Sequence, residues 1–390
     1  MTTLWATIII LGVLITIHEY GHFIAARSVG IRVEKFSIGM PPRFLTITSI
    51  DNALLLKFFF FKKNESGKFI WQPVFQKSIQ KPGRIGSKTE YVIALLPLGG
   101  YVKMAGIIDE SLDMQISLKD DEFMSKPLWA KLWVMSAGVI MNTILAFIIF
   151  SSIGYYQGFP KVSNEPIISE IIDDMPAEKS GILVGDKVLK INDITINTWE
   201  DLSSEIHKKP NQDISLKLER KGLFVDYNIK TSSRTISNGQ GVDTVGAIGI
   251  VPLVFYEDMT LHQAFITGWN RTIGSFGMII ESLRMLGTGS ASVSDFGGPI
   301  MIAQLAGKTA EAGMIPFLTF MALLSVNLAF LNILPIPGLD GGHIFIYILE
   351  GLINRPLPLK ARITIQQVGM TFLLILMVTI IFQDISRLFN

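Results

Sequence analysis

The sequence contains no cysteine, which excludes disulfide bridges and thiolate metal sites and leaves imidazole and carboxylate as side-chain metal ligands. Charge is also scarce. Only 17% of the 390 residues are Asp, Glu, Lys or Arg, while 49% are hydrophobic and the mean hydropathy is +0.43. A soluble domain carries about a quarter charged residues, so a multi-span membrane protein with a soluble part is expected. The net charge of +1 offers no electrostatic footing for nucleic acid. No Lys or Arg precedes Arg27, and no small-residue cleavage site follows the first apolar run. That run therefore lacks the positive n-region of a cleaved signal peptide and is expected to stay as a first span.

Four segments have the length and composition of spans: about 3–26, 132–157, 314–336 and 364–383. Lys and Arg near their ends are unevenly shared. Arg27, Arg32, Lys35, Arg43, Lys126, Lys131, Arg355, Lys360 and Arg362 fall on one side, and Lys161, Lys308 and Arg387 on the other. This bias places 27–131 and the 354–363 loop in the cytoplasm, with 158–313 and both termini outside. Residues 159–252 carry more charge and alternate strand-like stretches (166–172, 214–218) with turns around a helix at 199–208, which reads as a soluble domain with a loop at 233–244. Residues 259–286 read as an amphipathic helix, and Arg271, Glu281 and Arg284 on its polar side suggest a place on the membrane surface. The expected domains are thus 1–150, 159–252, 253–313 (surface helix and linker) and 314–390.

The first span contains His18-Glu19-Tyr20-Gly21-His22. On a helix the two histidines lie one turn apart on one face, spaced to grip a single zinc ion with Glu19 beside it. Ionisable groups at bilayer depth are costly and serve function by default. The alternative is a set of satisfied core histidines. Two imidazoles are too few for such a site, which needs three protein ligands and a water. His207 and His262 read as ordinary polar residues. A Pro/Gly-broken segment after the third span, Asn332 to His343, carries one carboxylate, Asp340. Asp340 is either the third ligand or the cap of an Asp-Gly turn, with His343 the next candidate. Between spans one and two, 92–102 is apolar, rich in turn-formers and too short to span. It reads as a re-entrant element or a cytoplasmic strand, because non-helical backbone at membrane depth must be buried in protein or line a cavity. In the 44–85 stretch, Phe58 to Phe61 followed by Lys62-Lys63 suits either the bilayer surface or a buried strand.

An HExxH in the first span together with Asn332-Ile333-Leu334-Pro335-Ile336-Pro337-Gly338-Leu339-Asp340-Gly341 resembles the site-2 protease family of intramembrane zinc metalloproteases, and within it the bacterial regulator-of-sigma-E protease group. Phe36 to Gly39, Thr89 to Met104 and Gly298-Pro299-Ile300 match as well, and Pro176 to Asn192 resembles a PDZ signature. The resemblance implies a polytopic α-helical membrane protein of about four transmembrane helices, with a membrane re-entrant β-element at 89–104 and one extracytoplasmic α/β PDZ-like domain. It implies Zn2+ held by His18, His22 and Asp340, Glu19 as catalytic base, and Asn332 and Asn327 on the substrate backbone. An extended substrate adding as a strand to 89–104 would be contacted by Gly100, Tyr101 and Val102. Implied partners are the lipid bilayer, single-span membrane substrates such as anti-sigma factors, and an upstream site-1-type protease. The implied location is the bacterial inner membrane.

The chain departs from the pattern at three places. The A-G-P-x-x-N string of span two appears as Ala137-Gly138-Val139-Ile140-Met141-Asn142, one PDZ-like domain replaces a tandem pair, and 44–85 is longer than expected. Gly246 to Ile250 resembles a loop that grips a peptide C-terminus, with a rigid size-excluding gate as the alternative role of that domain. The competing reading of the whole is a non-catalytic membrane PDZ adaptor with a relict metal site. A transporter suits the broken third span but not the absent hydropathy repeat.

Overall fold

The computed structural model describes residues 1–63, 68–83, 85–107, 118–237, 242–290 and 297–389. These form two compact units, one of Met1–Ile153 with Ala264–Asn390 and one of Gly154–Gln263.

The first unit opens with helix α1 (Thr2–Ser28), which stops where Gly30 takes φ +70°. Four strands follow: β1 (Val33–Ile50), β2 (Ala53–Lys63), β3 (Phe69–Gln80) and β4 (Glu90–Met104), paired in the order β3-β2-β1-β4. β1 and β4 are each bent, at Gly39 (φ +90°) and Gly99 (φ +123°), conformations that glycine adopts without strain. The bends interleave the two strands, so that Phe36 is partnered by both Val102 and Tyr91 while Thr46 is partnered by Val92 and Lys57. The β4 bend lies on α1. The carbonyl of Pro97 would stand 3.1 Å from a Cβ at Gly12, and Gly99 sits against Ile15. Gly12 is about 24 Å along the helix from Ser28 at the usual rise per residue. Within the 44–85 stretch the end of β1 pairs with β2 and β2 with β3, which extends this sheet, and 64–67 and 84 lie outside the described residues. The aromatics Phe60, Phe61, Phe69 and Phe75 of this stretch are exposed, so it is not a buried strand.

Helix α2 (Leu128–Gln157) runs unbroken through Val139, where the family pattern has proline. Ala6, Ile10 and Leu14 of α1, one turn apart, pack with Ala146, Ile149, Phe150 and Ile153 of α2. A second cluster gathers Ala25, Ile31, Val33, Met104, Phe123 and Val134.

The second unit holds strands β5 (Phe159–Val162) and β6 (Ile168–Ile171), helix α3 (Pro176–Lys179), strands β7 (Lys187–Ile191) and β8 (Ile194–Thr195), and helix α4 (Trp199–His207). There follow β9 (Asp213–Arg220), β10 (Leu223–Lys230), β11 (Ser232–Ser237), β12 (Val242–Ala247), β13 (Ile250–Pro252) and β14 (Val254–Glu257). The main sheet runs β10-β9-β7-β8. Period-two alternation in β9 sends Ile214, Leu216 and Leu218 into a core with Val188, Ile191, Leu202 and Ile248. α4 begins with a capping box in which Thr198 and Asp201 satisfy each other's backbone N–H. Asp186, buried beneath the sheet, takes two hydrogen bonds from the Arg220 guanidinium at 2.8 and 2.7 Å. The expected loop at 233–244 is instead an antiparallel pairing of β11 with β12, of which 238–241 lie outside the described residues.

The chain re-enters the first unit through α5 (Leu261–Gly287), followed by α6 (Pro299–Ala312), α7 (Met314–Ile333), α8 (Asp340–Ile353) and α9 (Leu359–Phe389). The expected surface helix forms as α5, yet its contacts run along the other helices. Ala264, Gly268, Thr272 and Ser275 make a buried small-residue stripe, Gly268 meets Ser151, Phe265 and Trp269 meet Phe147, and Phe276 meets Phe330. Small residues every fourth position permit such close approach, which the amphipathic pattern did not reveal. The expected linker also contains a helix, α6, whose first N–H groups are taken by Asp384 of α9. Gly298, Ile300 and Met301 donate to its carboxylate at 3.0, 2.9 and 3.3 Å, and a Cβ at Gly298 would lie 2.5 Å from Asp384 Oδ2. α1, α2, α7 and α9 are long and apolar enough to cross a membrane, four among the described residues.

Candidate active site

α7 ends because Leu334 precedes Pro335 and takes extended backbone (ψ 142°), as a residue before proline must. The turn that follows uses Gly338 at φ +98° and delivers Asp340 as the first residue of α8. Gly341 packs on the carbonyl of Leu334, and Gly342 on Pro337, where side chains would collide. The N-cap of α8 is Leu339, and no side chain caps this helix. Asp340 is thus free of the capping role and points at α1. Its Oδ2 lies 3.1 Å from His18 Nε2 and 3.2 Å from His22 Nε2, and the two Nε2 atoms are 3.2 Å apart. His343, the alternative ligand, stacks on Tyr347 and is not part of this group.

Both histidines are buried, at 7% and 5% exposure, and Asp340 Oδ2 is buried with no donor to satisfy it. Three electron-pair donors converging on one point without a proton donor fit a cation. The spacing fits zinc: tetrahedral ligands at about 2.0–2.1 Å from the metal stand about 3.3 Å from one another. Among the described residues no fourth His, Asp or Glu joins the group.

Helix α2 supplies the surroundings. His22 Nδ1–H donates to the carbonyl of Val134 at 2.8 Å. The side-chain amide of Asn142 lies 3.4 Å from His18 Nδ1. Between them Gly138 faces the site, where a Cβ would stand 2.6 Å from His22 Nε2 and 2.7 Å from His18 Nε2. Val134, Gly138 and Asn142 recur every fourth residue, on one face of α2. The sequence marks 137–142 as a family pattern but assigns neither Gly138 nor Asn142 a role. The only signals are a glycine and an amide in an otherwise bulky apolar run.

Glu19 Oε2 accepts the backbone N–H of Val102 at 3.1 Å. That settles one detail left open by the strand pattern: the Val102 amide faces Glu19 in this structure. Gly100 lies beside it, its Cβ position 3.8 Å from Glu19 Cγ, and Tyr101 pairs with Ser37. Asn332 is half-buried in the last turn of α7 and Asn327 is exposed on it, and neither hydrogen-bonds to the His–His–Asp group.

A carboxylate on the same helical turn as two imidazoles that could hold a metal with Asp340 suits a zinc metalloprotease, here in an integral membrane protein. The comparisons agree, and the chain belongs to peptidase family M50, whose model matches residues 6–62 and 75–376. A Clostridium acetobutylicum protein named as a zinc metalloprotease is 31% identical over 381 residues, covering 97% of this chain and 96% of that one. A Clostridium perfringens protein named likewise is 33% identical over 373 residues, covering 95% of each. Zinc metalloprotease RasP of Oceanobacillus iheyensis is 28% identical over 433 residues, covering all of both chains. Of solved structures, the PDZ domain of an SdrC-like protein from Listeria monocytogenes matches 24% of this chain and 92% of its own length, at 17% identity and a TM-score of 0.20.

Proposed function

We propose that this metalloprotease cuts within the membrane, acting on transmembrane segments of single-span proteins, and that its substrates are membrane-tethered regulators such as anti-sigma factors, already trimmed by a site-1-type protease. The observation that carries the reading is the position of the His18–His22–Asp340 group. It lies between α1 and the start of α8 and is flanked by α2; α1 and α2 are both long and apolar enough to span.

His18, His22 and Asp340 would hold the zinc, which would supply a Lewis acid and a more acidic water. Glu19 is placed to take a proton from the attacking water and pass it to the leaving amide nitrogen. A substrate helix hides its peptide bonds in its own hydrogen bonds and has to unwind first. An apolar groove of about 410 Å³, lined by Gly12, Val13, Ile17, Ile38, Ile93 and Pro97, lies between α1 and the bends of β1 and β4. The unwound segment lies there, adding to β4 around Gly100 and Tyr101, with Asn332 and Asn327 on its backbone. The packing of the β4 bend on Gly12 and Ile15 supports a re-entrant sheet. The Lys/Arg bias supports an active site toward the cytoplasm of the bacterial inner membrane, with the PDZ-like unit outside. A groove of about 190 Å³ in that unit, between α4 and the 245–252 segment, contains the Gly246 to Ile250 loop and suits a peptide C-terminus.

The test is Glu19→Gln, which keeps a hydrogen-bonding side chain but no base. Membrane proteomics of cells carrying it should show single-span fragments accumulating while the purified variant retains one zinc per chain. Normal turnover of those fragments would overturn the role of Glu19. Asp340→Ala should lose the zinc itself.

A further inference from the structure

The site contains a buried amide that the reaction as described does not use. Asn142 is fully buried on α2, its side chain reaches His18 Nδ1, and its Oδ1 has no partner. Ser325 of α7 donates its hydroxyl to the Asn142 backbone carbonyl at 2.8 Å, clamping this turn of α2 beside the site.

A histidine that binds metal through Nε2 must carry its proton on Nδ1, and the partner of that proton sets the tautomer and the ring's direction. For His22 the partner is the Val134 carbonyl. For His18, among the described residues, the side chain within hydrogen-bond reach of Nδ1 is that of Asn142. With the amide N–H₂ turned to Nδ1, the ring would put its proton on Nε2, facing Asp340 and His22, and Oδ1 would stay buried and unsatisfied. Turning the amide about its Cβ–Cγ axis exchanges its two ends, so that Oδ1 accepts Nδ1–H. Asn and Gln ends are interchangeable in this way, and the hydrogen-bond partners decide between them.

Resting on the ligand set of the preceding section, we propose that Asn142 is the positioning residue for His18. Its Oδ1 holds the Nδ1–H tautomer and leaves the Nε2 lone pair for the metal. One face of α2 then serves both imidazoles: Val134 orients His22, Gly138 leaves room for the rings, and Asn142 orients His18.

The test measures zinc affinity of the purified full-length protein by competition with a chromophoric chelator. Loss of a partner at this distance from a metal costs about 10–100-fold in affinity. Asn142→Ala should weaken zinc by that amount without lowering the melting temperature of the metal-free protein. Asn142→Asp, which keeps an acceptor, should bind at least as tightly as the parent. Affinity of Asn142→Ala within about threefold of the parent would overturn the proposal, as would equal weakening in the Asp variant. A variant-free measurement accompanies these. In the zinc-loaded parent, ¹⁵N resonances should show His18 protonated at Nδ1 and metal-bound at Nε2, and the reverse would also overturn it. Asp340→Ala serves as the control. If it retains zinc, the ligand set itself is wrong. If it loses zinc while Asn142→Ala does not, only the role of Asn142 falls.

Discussion

Gly138→Ala is the smallest change that should destroy the metal site while leaving every ligand in place. The added methyl would lie 2.5 Å from His18 Cε1, 2.6 Å from His22 Nε2 and 2.7 Å from His18 Nε2. Carbon contacts are comfortable only from about 3.5 Å, so the rings or the helix must give way by almost 1 Å, roughly. Metal–ligand distances tolerate about 0.2 Å. A displacement several times larger should cost more than the loss of an outer partner does, hence at least about 100-fold in zinc affinity, or about 2.7 kcal/mol. Intrinsic helix preference moves the other way, since Ala is favoured over Gly by about 1 kcal/mol inside a helix. The expected result is therefore selective: zinc occupancy collapses in chelator competition, while helical content by circular dichroism stays at the parent level. Zinc affinity within about threefold of the parent would refute the claim that α2 presses this face against the two imidazoles.

Val102→Pro removes the N–H that Glu19 accepts. Cleavage of a model transmembrane substrate should fall by about 100-fold with zinc content unchanged, and the Val102→Pro/Glu19→Gln double variant should be little worse than Glu19→Gln alone, because groups acting as one unit are non-additive. Full multiplicative loss in the double variant would separate the two residues. In the soluble unit, burial alone would lift the Asp186 carboxyl, but the Arg220 fork and the Leu183 N–H outweigh it and hold the group below the usual carboxylate range. A carboxyl depressed in the folded state stabilises fully above its unfolded pKa of about 4, and that stability is lost as pH falls through the folded value. Pulse proteolysis of the full chain from about pH 7 down to 2 should show this loss in the 154–263 unit. Asp186→Asn should cost about 2 kcal/mol at neutral pH and flatten the acid slope. An unchanged slope would assign the acid sensitivity to another group.

The expected spans and the four long apolar helices differ by only a few residues at their ends, because a stretch of about twenty apolar residues is a local property of the chain. The His18–Glu19–His22 spacing was legible for the same reason, since helical periodicity places i and i+4 on one face wherever the helix lies. The soluble unit announced itself through rising charge and period-two strands. The structure adds most where a pattern had two causes. Charges on 259–286 suggested a surface helix, while the small-residue stripe of the same segment packs it on α2 and α7. The aromatic run at 58–61 suited an exposed or a buried strand, and only its pairing with β3 at the edge of the sheet decided for exposure.

Composition and local spacing alone therefore determined the membrane class of this chain, its separate second unit and the shared face of His18 and His22, because each of those depends on residues within a turn or a span of one another. Tertiary structure decided the rest. Asp340 meets His18 and His22 rather than capping α8 because a proline-terminated α7 turns its segment back onto α1, and no local rule carries the distance between those two ends of the chain. The interleaving of β1 with β4 brings the Val102 amide to Glu19. The crossing of α2 on α1 brings a carbonyl, a glycine and an amide to the two imidazoles. These are contacts between segments far apart in sequence, set by which surfaces pack together, and a single chain read residue by residue does not contain them.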